Sequence, residues 1–241
     1  MICALGDLLL DVVVRLDAPI AADTDTYGRT RVAPGGQAAN VTAWAAALGG
    51  SARFVGKHAR DAAGRILTGE LRRLGVEVVG PEVDAGTGTV VSLADPEGRR
   101  SMLTDRGVAP ELRPDEVDPV WFEGVQTLHV AGYSLVRAPI REAALRAATL
   151  ARERGARVSL DLSATSAIEE LGVERFREIA AELRPDVVFG NADEVRLVGA
   201  VEAKVVVEKL GARGCVVRRG RDERAYDAEP TEPQNEGLPE S

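Results

Sequence analysis

The stretch Pro34-Gly35-Gly36-Gln37-Ala38-Ala39-Asn40-Val41 lies about thirty residues after a short apolar run that ends at Gly6-Asp7. Two adjacent glycines let the backbone turn sharply and come close to a ligand, where a Cβ would intrude. Apolar residues then recur at Val41, Trp44, Ala45 and Leu48, the i, i+3, i+4, i+7 stripe of a helix packed on a core. The glycines would therefore open a helix whose first-turn N–H groups are free to meet oxygen-rich ligands. Asn40, one turn in, carries both a donor and an acceptor, which suits hydroxyl recognition. Taken alone, a double glycine before a helix reads equally well as a tight loop that merely packs close.

Outward from this point, strand-like and helix-like segments alternate. Short apolar runs occur at Ile2 to Leu5, Ala52 to Val55, Val125 to Ala131, Val158 to Leu162 and Val187 to Phe189. Between them lie helical stripes. One has Asp61 as N-cap, then Ile66, Leu67, Leu71 and Leu74 on one face and Gly75 as its stop. Another runs from Pro139 through Ile140, Ala144 and Ala147 to Gly155, and a third from Val173 to Leu183, before Pro185. The repetition predicts an α/β fold with a mainly parallel central sheet covered on both faces. Asp11 to Val32 and Thr87 to Leu103 break the pattern with partly polar, strand-like sequence, the latter turning at Asp95-Pro96-Glu97-Gly98. These pieces predict a small β lid over the carboxyl edge of the sheet, where open α/β folds bind ligands. The run Asp227 to Ser241 has no apolar periodicity and is expected to be disordered.

The 241 residues are 45% hydrophobic, enough for one sizeable core. A net charge of −8 argues against a nucleic-acid or anionic-membrane partner, since both need a basic patch. Cys3 and Cys215 lie in apolar runs and read as small buried hydrophobes, with no spacing for a disulfide framework or a zinc site. His58 and His129 are too isolated for a metal cluster. The N-terminal run is too short for a signal peptide and no apolar run approaches membrane-spanning length, so a cytoplasmic location is expected.

Further blocks follow in order: Val55-Gly56-Lys57 with Asp61-Ala62-Ala63-Gly64, Asp105-Arg106-Gly107, Leu160-Asp161-Leu162-Ser163, Phe189-Gly190-Asn191-Ala192-Asp193-Glu194 and Lys209-Leu210-Gly211-Ala212-Arg213-Gly214. Together with Gly6-Asp7, Asp11 and the glycine pair, this order and spacing resemble the ribokinase-like (PfkB) carbohydrate kinase family. The resemblance runs over about residues 1–230, with lid pieces near 11–32 and 87–104, and leaves 231–241 as a tail outside it. It implies a three-layer α/β/α sandwich, ATP and Mg2+ as cofactors, and a small-molecule sugar or sugar acid as substrate. In the family such a lid covers the sugar and often carries a homodimer contact.

For the sugar, the resemblance assigns Asp11, Gly35, Gly36 and Asn40, to which Lys57, Arg106, Tyr133 and Asp161 add themselves by their positions after strand ends or beside the lid. The fork of donors on Arg106 would suit an acidic substrate. Each charged residue here also has a plain reading as a solvated side chain. For nucleotide and metal, Asn191 and Glu194 match an Asn-x-x-Glu motif that orders magnesium-bound water and phosphate oxygens. An Asn N-cap with Glu at N3 is also an ordinary capping box, and the two roles are compatible. Lys209, Gly211 and Gly214 match the nucleotide-binding hairpin of the family, against a bare hairpin turn.

The family's base is an aspartate in an Asp-Thr-x-Gly-Ala-Gly-Asp motif, whose glycine N–H groups also form an anion hole. Where the resemblance would place it, the sequence reads Pro233-Gln234-Asn235-Glu236-Gly237-Leu238-Pro239-Glu240-Ser241. Neither Asp222 nor Asp227 is followed by a glycine turn and helix. The resemblance thus implies a chain truncated or frame-shifted before its catalytic segment and catalytically impaired. A non-catalytic sugar-binding or regulatory remnant is the rival expectation. A Rossmann oxidoreductase is disfavoured, because no glycine fingerprint directly follows the first strand.

Overall fold

A computed structural model describes residues 1–163, 165–199 and 201–228, so the expected tail at 231–241 lies outside the described residues. The first strand, β1 (Ile2–Leu5), ends at Gly6-Asp7. A hairpin of β2 (Leu9–Leu16) and β3 (Gly28–Gly35) follows, and α1 (Gln37–Ala47) starts directly after the glycine pair. Next come β4 (Ala52–Val55), the short β5 (His58–Ala59), α2 (Ala62–Arg73), β6 (Val76–Val79) and the short β7 (Glu82–Val83). A second hairpin, β8 (Thr87–Ala94) and β9 (Arg100–Gly107), precedes β10 (Thr127–Ala131), α3 (Ile140–Glu153) and β11 (Arg157–Asp161). The chain continues through α4 (Thr165–Leu171), α5 (Val173–Leu183), β12 (Val187–Asn191), α6 (Ala192–Val198), β13 (Val205–Lys209), β14 (Cys215–Arg219) and β15 (Asp222–Tyr226).

The central sheet runs β15-β14-β13-β12-β11-β10-β1-β4-β6. From β6 to β13 all neighbours pair in parallel, and β14 and β15 add an antiparallel edge. The lid is a separate sheet in the order β3-β2-β8-β9, bearing out the reading of both polar hairpins. Its central pairing, β2 with β8, is parallel and joins two hairpins that are separated in sequence by α1, β4, α2 and β6 of the main layer.

Asp61 caps α2 as expected: its carboxylate accepts from the Gly64 N–H (2.7 Å). It also accepts from the Thr87 N–H (2.8 Å), tying the helix to the start of a lid strand. The helix buries Gly64, Leu67, Thr68 and Leu71, while Ile66 is exposed, contrary to the stripe expected. Close packing at Gly64, where a Cβ would overlap the Ala59 carbonyl, rotates the buried face toward that glycine. In α1 the correction is larger. Ala38, Ala39, Thr42 and Ala43 are buried, whereas Trp44 is 42% and Leu48 83% exposed. The small side chains let the helix seat against β1, with Ala38 Cβ only 3.1 Å from where a Cβ of Gly6 would stand.

The core is asymmetric. On one face, Leu5, Leu128, Val130, Leu160 and Val188 are buried beneath α3, α5 and their neighbours. On the other, Ala4 and Phe54 are buried beneath α1 and α2. Covering on both faces, expected for the whole sheet, holds where α1 and α2 reach. Val187, Phe189, Val205 and Val207 share the second face by register and stay half-buried, with no helix over them among the described residues. Cys215, on β14, is accordingly half-buried, not buried as expected, while Cys3 is enclosed and its thiol is pushed up to about 12 by burial.

Candidate functional site

Between the lid and the carboxyl ends of β1 and β10 lies a cavity of about 170 Å3. From the lid it is lined by Leu9 and Asp11 of β2, Val90 of β8, and Met102, Thr104 and Arg106 of β9. Each set alternates by two, as strand geometry requires of side chains on one face. Register aligns Asp11, Val90 and Thr104 across three strands. Asp7, Gly36, Gln37, Ala131 and Tyr133 form the floor.

The glycine pair is explained by contacts. A Cβ on Gly35 would overlap the Asp11 carboxyl group, so the missing side chain is what lets Asp11 lie over the turn. Gly36 has φ 95° and ψ 131°, and a Cβ there would come 2.8 Å from the Asp7 carbonyl carbon. Asp11 sits in partly apolar surroundings, and burial raises its pKa to about 6 against the opposing pull of Arg31. Asn40 donates its backbone N–H to the Gly36 carbonyl (2.9 Å), and its side-chain Oδ1 is buried without a hydrogen-bond partner. Gln37 Oε1 is buried and unpartnered as well. Gln37 lines the cavity, so its amide is open to donors from outside the chain, whereas Asn40 and Gly35, expected at the sugar, stand outside the lining.

Arg106 is placed in the crevice as expected, but its fork is engaged. Nε donates to Asp7 Oδ2 (2.7 Å) and Nη2 to Asp7 Oδ1 (2.9 Å), while the guanidinium carbon lies 5.8 Å from the centre of the Tyr133 ring. Burial raises the Tyr133 pKa; Arg106 opposes the rise, and the negative charges of Glu194 and Asp7 add to it. The N-terminus of α6 therefore shares the electrostatic neighbourhood of the crevice. Lys57 does not reach the cavity. Its Nζ donates to both Glu116 carboxylate oxygens (2.6 and 3.0 Å) and to the Glu111 carbonyl (3.2 Å), which clamps the chain segment after the lid.

Asp161 is also taken up within the chain: Lys209 Nζ donates to its Oδ2 (2.6 Å) and the Ser163 N–H to its Oδ1 (3.1 Å). A residue expected at the sugar and one expected at the nucleotide thus form one ion pair across β11 and β13. Asn191 caps α6 through its Oδ1, which accepts from the Asp193 and Glu194 N–H groups (3.0 and 2.9 Å). Glu194, buried, accepts from the Asn191 N–H (2.8 Å). The capping box is real, and it aims this carboxylate at the sheet's carboxyl edge. Gly211 (φ 59°) leaves open space where a Cβ would point, whereas a Cβ on Gly214 would strike the Tyr226 carbonyl of β15. Packing alone accounts for Gly214. Among the described residues no group of three or more His, Cys, Asp or Glu could hold a metal ion.

Sequence reasoning passed over Asp7, Gln37 and the inward lid residues Leu9, Val90, Met102 and Thr104, while Asp11 and Arg106 were expected. Asp7 was visible only as part of a turn, and nothing local announces a partner 99 residues away. The period-two run Met102, Thr104, Arg106 was the signal available for the lid wall.

A lid-covered crevice at the carboxyl edge of a mainly parallel sheet, covered on both faces where α1 and α2 reach, defines an α/β protein of the ribokinase-like kind. The family model described as pfkB family carbohydrate kinase matches residues 1–234, and the chain belongs to that family. It is 33% identical over 165 residues to probable fructokinase-4 of Arabidopsis thaliana, a match covering 67% of this chain and 50% of that protein. The chain thus spans about half the length of this curated relative. Among solved structures it resembles adenosine kinase from Sinorhizobium meliloti at 25% identity and a TM-score of 0.83, covering 96% of this chain and 80% of that one. A structure described as ribokinase II from E. coli, in complex with ATP and Mg2+, shares the fold at 18% identity and a TM-score of 0.81, covering 96% and 79%.

Proposed function

We propose that the crevice binds a sugar or sugar acid and that the protein's reaction is transfer of a phosphoryl group from ATP to one of its hydroxyls. One observation carries the reading: the Asp11 carboxylate, set against Gly35 inside a lid-covered crevice that the unpartnered Gln37 amide also lines. A carboxylate and an amide at a sterically cleared turn suit several hydroxyls presented together. The plant fructokinase and the ATP and Mg2+ held by the E. coli neighbour support the substrate class and the cofactors. The residues present fit a metal held indirectly: Glu194 would reach Mg2+ through water, and Gly211 would let the triphosphate approach the hairpin backbone. ATP supplies the transferable phosphoryl group. Lys209, tied to Asp161, would place positive charge at that edge.

The 241 residues hold no Asp-Thr-x-Gly-Ala-Gly-Asp motif. We therefore infer that this polypeptide, on its own, turns over slowly. A lost general base typically costs about 10²–10⁴-fold and a lost oxyanion-type donor about 10²–10³-fold, and losses on one step need not multiply. A second reading is a sugar-binding or regulatory protein that uses the crevice without catalysis. Calorimetry with a sugar panel, run beside a coupled ADP-release assay, separates these. Saturable binding with negligible ADP release is expected. Release at ordinary small-molecule kinase rates overturns the impairment, and folded protein that binds no sugar overturns the site. No described helix is long and apolar enough to cross a membrane. We place the protein in the cytoplasm and infer a homodimer contact through the lid, whose outer residues Ile20, Tyr27 and Val32 are exposed.

A further inference from the structure

We infer that Asp7 is the residue that sets substrate class in this crevice, excluding sugar acids and leaving neutral sugars; this rests on the carbohydrate-kinase reading above. An arginine beside a sugar site ordinarily invites a carboxylate, because its planar fork matches two carboxylate oxygens at once. Here that edge of the fork is filled. Nε and Nη2 of Arg106 both donate to Asp7, at 2.7 and 2.9 Å, and both side chains are about a tenth exposed (12% and 9%). The crevice therefore presents one neutralised cation together with the Asp11 carboxylate, which feels the pull of Arg31 but is half-buried in the same wall. A ligand anion would meet Asp11 in partly apolar surroundings and find its natural partner already paired. Like charges placed together are a common way of rejecting a wrong partner. In the remaining wall, Leu9, Val90, Met102 and Ala131 offer apolar contact to carbon–hydrogen faces, while Gln37, Thr104 and Tyr133 supply neutral polar groups and no second cation.

Asp7 is a positioning residue in this scheme, acting through Arg106. The rival role is mechanical: the pair links the end of β1 to lid strand β9 and could serve only to hold the lid. The two roles separate by selectivity. Freeing the fork should admit anions specifically, whereas loosening the lid should weaken every ligand alike.

The test is calorimetric titration at pH 7.5 of the wild-type chain and variants with fructose, ribose, gluconate and 2-keto-3-deoxygluconate. Wild type should favour its best neutral sugar over either acid by at least about tenfold, the scale of a like-charge penalty. Asp7→Asn, of the same shape without the charge, should shift the acid-to-neutral affinity ratio by about tenfold or more toward the acids. The double variant Asp7→Asn with Arg106→Gln should lose that gain. Wild-type protein that binds an acid as tightly as any neutral sugar overturns the inference while leaving the kinase reading intact. Absence of saturable binding by all four ligands counts against the kinase reading itself. Equal weakening of both classes in Asp7→Asn reduces the pair to a lid tether. Should Asp7→Asn not fold, the wild-type ratio and Arg106→Gln still decide: if Arg106→Gln removes acid binding that wild type possesses, the inference is wrong.

Discussion

Replacing Gly36 by alanine tests whether the glycine pair is there for contact or only for conformation. At φ 95° and ψ 131° an L-residue sits in a region used almost only by glycine, which costs about 1–3 kcal/mol. The added Cβ would also come 2.8 Å from the Asp7 carbonyl carbon and 3.1 Å from the Leu9 nitrogen. Both are backbone atoms at the sheet's edge that cannot rotate away, so over-packing adds about 1–3 kcal/mol. The sum, about 2–6 kcal/mol, is a large share of an ordinary domain stability of about 5–15 kcal/mol. It corresponds to a fall in Tm of about 4–24 °C for a chain of this size. Gly49 is the control: it also has positive φ, 81°, but nothing lies within 4 Å of its would-be Cβ. Gly49→Ala should therefore lose only the conformational part, about 1–2 kcal/mol. Urea unfolding followed by tryptophan fluorescence, with thermal circular dichroism beside it, reads both variants. Losses at the two positions equal within about 0.5 kcal/mol would show that close approach to Asp7 is irrelevant, and the account of the turn would fall.

Asp11 carries a pKa raised to about 6 by burial, so the folded state holds its proton more tightly than the unfolded chain does. Its contribution to stability is thus present below about pH 4 and lost as pH rises through about 6. Asp11→Asn should remove that loss, gaining Tm relative to wild type above pH 6 and not at pH 4; a pH-independent difference between the two proteins would refute it. Asn40→Ala should weaken sugar binding about two- to tenfold while leaving unfolding nearly unchanged, because its Oδ1 has no partner to lose; equal affinity refutes the assignment. Trp44 and Leu48, exposed at α1, and the half-buried Phe189, Val205 and Val207 of the sheet leave apolar area that should drive self-association, visible in light scattering and dye binding and reduced in Leu48→Lys. A monodisperse, dye-silent wild-type chain would overturn that expectation.

Period and punctuation were enough to read the parallel α/β order, the two lid hairpins, the Asp61 cap and the Asn191–Glu194 box, because each depends on residues a few positions apart. Family resemblance assigned Asp11, Gly35, Gly36 and Asn40 to one site, and the glycine contacts give a steric reason for glycine at 35, against Asp11, and at 36, against Asp7. The rotation of α1 was not legible: an apolar stripe shows which side chains could be buried, while alanine-sized clearance at Gly6 decided which ones were. Charge pairing was equally invisible. Arg106 looked available, and Lys57 and Asp161 looked free, until the fold brought Asp7, Glu116 and Lys209 within hydrogen-bond distance. An ion pair is set by distance in space, and with partners 99, 59 and 48 residues apart in sequence, only the tertiary structure supplies that distance.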